Sequence, residues 1–311
     1  MLTKVGLATV TLFLSSVVVF WGMRQLPGDP AIAMAGEDAT PERLDAIRSD
    51  LGLHEPVLVQ YVQFIRNFLT GSWGTSTRSG EEVRHMVASS LPVTLQLAVY
   101  AIAVAIVFGI LLGVVAERYR TRWPELLSNG VALLALSVPS FWLGLLAILL
   151  FAVNLGWFPA SGYDGSSPWA ILTHLTLPAL VLSTAFAATI GRQTRASLIT
   201  TMRSDYVRTA RAKGLGGRRV LAAYGLRNSL IVVVTVVGLQ LGTLISGAVV
   251  TEQVFGLPGF GKLVLSAVLT RDYPVVQTVV LITTVTFVVI NLVVDMCYTL
   301  IDPKVRVGGA T

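Results

Sequence analysis

Six long, largely apolar runs divide the chain, at residues 5–23, 93–116, 127–153, 175–197, 229–251 and 275–298. A helix needs about 20 residues to cross roughly 30 Å of hydrocarbon, and each run is close to that length or longer. The pattern therefore predicts an all-α membrane protein with six transmembrane helices. Residues 24–91 follow a different rhythm. Thr40 as N-cap, Pro41 at the first helical position, apolar Leu44, Ile47 and Leu51 and then Gly52 predict a short amphipathic helix. "EPVLVQYVQFIRNFL" predicts a second, with Pro56 at its start, Val57, Tyr61, Phe64 and Phe68 on one stripe, and Gly71 after it. Both are expected to lie against the outer mouth of the bundle, as a cap or as a docking surface. The segment is too short for a separate substrate-binding domain with its own deep cleft, so substrate capture is expected to need another protein.

Three segments follow: a first transmembrane helix over 1–23, an extracytoplasmic helical insertion over 24–91, and a five-helix core over 92–311. The core contains a cytoplasmic loop, 198–228, and an outer re-entrant loop, 252–274. Lys4 before the first run suggests a cleavable signal, but "MRQLPGDP" follows in place of a small-residue cleavage site, so the helix is read as retained. Pro139, inside the third run, removes a helical hydrogen bond and is expected to bend it.

Composition agrees with the pattern. Of 311 residues, 54% are hydrophobic and 13% charged, and the mean hydropathy of +0.73 excludes an ordinary soluble protein. The net charge of +6 is one-sided. Arg118, Arg120 and Arg122 follow the second run, and a basic series from Arg192 to Arg227 follows the fourth, whereas 154–174 has no Lys or Arg and 252–274 has only Lys262 and Arg271. Basic loops stay in the cytoplasm, which predicts a multi-pass protein of the cytoplasmic membrane with both termini on the cytoplasmic side; the charge reports topology and not nucleic-acid binding. Cys297 stands alone and His54, His85 and His174 lack ligand spacing, so no metal site is expected. Asp295, near the end of the sixth run, is either a functional group or a helix-end residue reaching a partner. Coupling to protons or sodium usually needs more ionisable groups inside the spans than this chain has. Trp142, Trp157 and Trp169 read as core filling and interface anchors.

"GLPGFGKL", residues 256–263, nearly matches a phosphate-binding loop through Gly256, Gly261 and Lys262. Leu263 stands where Ser or Thr would hold magnesium, and no buried strand precedes it. Any ATP must then be bound by a partner. The stretch reads better as an outer turn in which Pro258 sets the backbone and Gly256, Gly259 and Gly261 permit tight re-entry, so that Phe255 and Phe260 tuck against the helix mouths. Phe255, Pro258, Gly259 and Phe260 are a candidate outer gate, or a structural cap.

The remaining concentration of charge is "DYVRTARAKGLGGRRVLAAYGLRNS", residues 205–229. Asp205 is placed to cap a first helical run, and Gly214, Gly216 and Gly217 allow a sharp reversal into a second, predicting two short helices joined by a bend. Attraction to anionic headgroups explains part of the Arg content. It does not explain Tyr206, Val207, Ala210 and Ala212 set among the charges, a knob with a basic rim that suits a socket on another protein.

This stretch is similar to the cytoplasmic loop of ATP-binding-cassette importer permeases: Glu-Ala-Ala, three residues, Gly, then nine residues before Ile-x-Leu-Pro. Arg208, Thr209 and Ala210 occupy the triplet, Gly214 the glycine, and Tyr224, Gly225, Leu226 and Arg227 the tail; only Ala210, Gly214 and Leu226 match literally. "DYVRTARAKGL" and "LRNSL" resemble the variant in dipeptide and oligopeptide importer permeases. "LPGDP" at 26–30, "LGLHEPVLVQYVQF" at 51–64, "VPSFWLGLL" at 138–146, "HLTLPAL" at 174–180, "EQVFGLPGFG" at 252–261 and "IDPKVR" at 301–306 resemble its B-type subunit. The resemblance implies a non-catalytic subunit within the lipid bilayer, joined by a second homologous permease, two ATP-binding-cassette ATPase subunits or domains that hold ATP and magnesium, and an extracytoplasmic peptide-binding protein. It implies no cofactor in this chain. It also implies that Asp205, Tyr206, Arg208, Thr209, Ala210, Arg211, Lys213, Gly214 and Leu215 meet the ATPase. The same family includes importers of nickel complexes and glutathione. Outside it, an ATP-independent secondary transporter or channel and a membrane scaffold remain open readings.

Overall fold

The computed structural model describes residues 2–25, 31–32, 40–50 and 52–301. The "LPGDP" stretch, Leu51, "IDPKVR" beyond Ile301, and the side chains of Ile47, Asp295 and Cys297 lie outside the described residues. Among the described residues the regular structure is helical, apart from one isolated antiparallel bridge between Thr75 and Glu82. The helices are α1 (Leu2–Gln25), α2 (Pro41–Asp50), α3 (Val57–Thr70), α4 (Val83–Arg118), α5 (Trp123–Ser137), α6 (Ser140–Ala147), α7 (Pro168–Met202), α8 (Asp205–Ala212), α9 (Gly217–Val220), α10 (Arg227–Val254), α11 (Phe260–Thr270) and α12 (Tyr273–Ile301). A π-helical segment, Ile148–Asn154, continues α6, and another, Leu221–Leu226, joins α9 to α10.

Five of the apolar runs lie within continuous helices, and the third is helical on either side of Val138 and Pro139. Among the described residues, four helices are long and apolar enough to cross a membrane: α4, α7, the helix running from Gly217 into α10, and α12. The apolar part of α1, Gly6–Gly22, is shorter. The third run departs from a single kinked crossing. It is two helices, Trp123–Ser137 and Ser140–Asn154, that meet at 105°. Steric conflict with a proline ring pushes the preceding residue out of the helical region. Val138 accordingly adopts φ −84°, ψ 127°, Pro139 follows at φ −60°, ψ 134°, and the chain restarts in a new direction.

The chain packs as two compact units, one of residues 1–93 and 258–289, the other of 94–257 and 290–311. In the first, α3 lies on α1. Phe20 packs edge-on to Tyr61 with centroids 5.3 Å apart, Tyr61 shares a 2.7 Å hydrogen bond with Ser16, and the Arg24 guanidinium sits 4.4 Å from the Phe20 ring centre while donating to Gln60. The two amphipathic helices form as their sequence requires. The Thr40 hydroxyl accepts from the Arg43 N–H at the start of α2, and Gly71 ends α3 in the left-handed conformation with φ 76°. The core of this unit gathers Val83, Val87, Phe260, Tyr273, Val276 and Val279. A buried carboxylate closes it: Asp272 accepts from the Ser76 hydroxyl and from the Thr77 N–H at 3.1 Å.

In the second unit α7 is the central element, packed against α5 and α10. It also meets α4 at a contact that only glycine allows. A Cβ on Gly109 would lie 2.7 Å from Ile190 side-chain atoms, and one on Gly113 would lie 2.7 Å from both the Gly191 carbonyl oxygen and Thr194 Cβ. Gly109 and Gly113 are four residues apart on one face of α4, and their missing side chains let the two backbones approach. Ala105, Ala187, Ile190 and Val233 form the core beside this crossing. The tryptophans are not core filling: Trp142, Trp157 and Trp169 are 48%, 64% and 75% exposed. Their large amphipathic rings suit a boundary between lipid and water.

Gly113→Ala is expected to destabilise the protein by about 1–3 kcal/mol, the usual cost of forcing atoms into a filled site. Gly130 on α5 is the comparison, since a Cβ added there would meet nothing within 4 Å. Gly130→Ala is expected to be neutral or to gain up to ~1 kcal/mol from helix propensity. Thermal unfolding in detergent distinguishes them; equal shifts for the two variants would remove the close approach as an explanation.

Candidate functional site

The basic stretch begins where α7 ends. Arg203 and Ser204 make the turn, and α8 starts at Asp205. The cap expected of Asp205 belongs instead to Ser204, whose φ −70°, ψ 155° are those of a residue entering a helix. The Ser204 hydroxyl turns back and donates to the Thr201 carbonyl at 2.6 Å, so no side chain caps α8. Asp205 is already inside the first turn. It pairs with Arg208 at 3.2 Å, but the two side chains are 94% and 77% exposed, and such a pair contributes little.

Two residues of α8 fasten it to the rest of the unit. Val207 and Ala210 are buried against Val220, with Met202, Leu215 and Tyr224 around them. Ala210 and Leu215 therefore look inward and hold α8 in place. The residues left on the outside are Asp205, Tyr206, Arg208, Thr209, Arg211 and Lys213. After the helix the chain turns at Gly214, whose φ of 79° strains any residue with a side chain. The Leu215 N–H then returns to the Ala210 carbonyl at 3.3 Å. The expected second short helix does not end where the sequence suggested. From Gly217 the backbone stays helical through the π segment into α10, so one end of a membrane-length helix forms the second half of the basic stretch.

Asn228, which sequence reasoning passed over, connects these parts. Its side-chain amide donates to the Tyr206 hydroxyl at 3.0 Å and to the Tyr224 carbonyl at 2.8 Å, and the Tyr206 and Tyr224 rings lie 6.4 Å apart. Thus α8 is bound at its base to the start of α10 as well as following directly from α7. The signal was present in "LRNSL", a polar residue at the foot of an apolar run.

A second cluster was also missed. Arg195 of α7 donates to Glu125 and, at 3.3 Å, to Asn129, both on α5. The other oxygen of Glu125 accepts the Thr121 N–H. Arg195 thereby leaves the surface series of basic residues in which its sequence position had put it.

The outer-gate candidates divide between the two units. In the second, Phe255 is buried; Val254 and Phe255 pack so close to Gly144 that a Cβ there would meet them at 3.0 and 3.3 Å. The Gly162 N–H donates to the Phe255 carbonyl at 2.9 Å. Just before it, the fully buried Glu252 accepts from Thr94, a pairing that only the fold discloses. In the first unit, Phe260 is part of the core, and Gly259 precedes α11. Of the glycines expected to allow tight re-entry, only Gly256 needs its freedom, at φ 63°; Gly259 has φ −88°, which any residue adopts. The near-match to a phosphate loop thus spans a turn and the first residues of α11, and no strand leads into it among the described residues.

The second unit also holds a cavity of about 460 Å³ bordered by α4, α5, α6 and α7. Phe108, Leu112, Val131, Leu143, Phe151 and Val181 make it apolar, and its Ser183 and Thr184 hydroxyls donate to their own helix at 2.8 Å. It offers nothing to a hydrated polar solute.

Residues 105–307 match the family described as binding-protein-dependent transport system inner membrane component, and residues 1–98 match the N-terminal model of the same kind of membrane component. A peptide transport system permease protein of Brucella abortus (strain 2308) is 43% identical over 307 residues, 98% of each chain. The glutathione transport system permease protein GsiC of Escherichia coli (strain K12) is 43% identical over 296 residues, 95% of each. Among solved structures, an inward-facing form of the MetNI methionine ABC transporter has a TM-score of 0.58 at 17% identity, covering 70% of this chain and 96% of that one. An amino acid ABC transporter structure gives 0.52 at 13%, covering 69% and 93%. These two share the fold, and the matches along nearly the whole sequence settle the lineage: the chain belongs to the family of inner membrane components of binding-protein-dependent transport systems.

Proposed function

We propose that this chain is the permease subunit of an ATP-driven importer and forms half of a path for di- or oligopeptides across the cytoplasmic membrane. The observation that carries the reading is the construction of α8. Its apolar side is locked to α7 and α10, and its exposed side presents Tyr206, Thr209 and a basic rim. A short helix fixed at two points transmits a push to membrane helices, where a loose loop would absorb it. Relatives named for peptide and for glutathione transport support a peptide-like solute, glutathione itself being a small peptide.

In this reading the six apolar runs are six crossings, the third of them bent, with the basic loops and both termini in the cytoplasm. A second homologous permease completes the path. Two ATPase subunits or domains bind ATP and magnesium and receive α8 through Asp205, Tyr206, Arg208, Thr209, Arg211, Lys213 and Gly214, with Ala210 and Leu215 as the inner anchors. An extracytoplasmic binding protein delivers the solute near the turn containing Phe255, Pro258, Gly259 and Phe260, which serves as the outer gate. Closure of the ATPase pair moves α8 and shifts the bundle between inward-open and outward-open states.

Two measurements test this. A Cβ on Gly214 meets nothing within 4 Å of its own chain, so Gly214→Asp puts strain and a negative charge into the rim without filling the interior. The variant is expected to insert normally, to retain less ATPase on affinity purification, and to lose about tenfold in ATP-driven uptake, equivalent to ~1.4 kcal/mol at the interface. Normal uptake with normal assembly would reject the role. For topology, in a Cys297→Ser background, Lys213→Cys is expected to label only from the cytoplasmic side and Asp164→Cys only from outside; the reverse pattern would overturn the orientation. Uptake that proceeds in vesicles without ATP would favour a secondary transporter or channel.

A further inference from the structure

The four-residue turn between α4 and α5 is built unlike an ordinary connection. Thr121 holds a left-handed backbone, φ 64°, which is uncommon without glycine and is sustained here by the Glu125 carboxylate on its N–H. Arg118, Arg120 and Arg122 lie within five residues, all exposed. Glu125 is occupied by Thr121 and Arg195, and Glu117 is in the electrostatic field of Arg120, Arg195 and Arg203. Arg118 and Arg122 have no acidic partner among the described residues. Arg122 lines a surface cavity of about 410 Å³ together with Tyr119, Trp123 and Pro124.

The surroundings select the ligand. Trp123 is 73% exposed, and one turn further along α5 the side chains of Leu126 and Leu127 are exposed as well. A soluble anion would meet the guanidinium and leave this apolar surface in water. A phospholipid would use both, its phosphate on Arg122 and Arg118, its glycerol region against the two rings, and its acyl chains along α5. Guanidinium presents a planar fork of donors to a phosphate diester, and Trp and Tyr favour the headgroup level.

We propose that Tyr119, Arg122, Trp123 and Pro124, with Arg118, form a binding site for the headgroup of an anionic phospholipid in the cytoplasmic leaflet. The site rests on the orientation given above. Its ligand would bear on coupling, because Glu125 joins the turn to Arg195 of α7, and α7 leads into α8.

The test uses the full-length chain with its retained subunits, in phosphatidylcholine nanodiscs with and without phosphatidylglycerol. Native mass spectrometry reads retained lipid, and quenching by brominated lipids reads tryptophan contact. R118Q/R122Q is expected to lose the preference for phosphatidylglycerol by about fivefold per guanidinium removed, the effect of one basic residue near an anionic surface. R218Q/R219Q, which removes the same charge from exposed positions on the docking element, is expected to retain it. Trp123→Phe keeps the charge and is expected to abolish the extra quenching by brominated phosphatidylglycerol, so the site stays testable if the double variant fails to fold. An equal loss in both double variants would mean diffuse attraction and overturn the site. So would unchanged lipid retention and quenching, or full displacement by glycerol phosphate, which would indicate a soluble phosphate ligand. Labelling of Thr121→Cys from outside would instead overturn the orientation, leaving lipid retention as a separate result.

Discussion

Inside hydrocarbon no water is available to the peptide backbone, so each N–H and C=O must find its partner within the protein. Helices do this locally, and the apolar runs of this chain are helical for that reason. The same constraint concentrates chemistry where helices end. Polar groups collect at the foot of α10, in the first turn of α5 and at the C-terminal ends of α10 and α11, where Asn228, Glu125, Glu252 and Asp272 each serve neighbouring elements. The helical walls fix the frame, and their ends carry the parts that can meet other molecules.

The second unit is drawn together by an absence of side chains. Gly109, Gly113 and Gly191 bring α4 and α7 to backbone contact, and Arg195 carries the same helix pair toward α5 through Glu125 and Asn129. Since α7 passes into α8 after a two-residue turn, α8 is an extension of the most extensively packed helix of its unit. The link from Tyr206 to Asn228 adds a second path, into α10. Together they hold α8 to two of the long helices of its unit.

How legible this was depended on range. Hydropathy located the helices because a membrane-length apolar run has few other stable conformations, and Pro56, Gly71 and Gly214 marked ends through local backbone restrictions that need no tertiary context. The 105° break was visible only as a proline; its size depends on how the flanking helices pack. Glu252 with Thr94 and Asp272 with Ser76 were invisible, since these partners are far apart in sequence and single acidic residues beside apolar runs ordinarily read as helix ends. The basic stretch between α7 and α10 stood out by its pattern, but not which side faces out: Ala210 matched the motif and is buried, while Tyr206 lies outside the motif triplet and bonds to α10.

The break at Pro139 places a demand on its surroundings. A helix start leaves its first N–H groups without helical acceptors, and a proline in the cap position has no side chain to lend them. Trp142 and Leu143 turn back to the Pro139 carbonyl, but Ser140 and Phe141, which precede them, stand too early in the helix for such a bond. Facing acyl chains, those groups would lose hydration with no compensation. The corner between α5 and α6 thus presents bare N–H donors to its surroundings, a polar point within an otherwise greasy stretch of sequence.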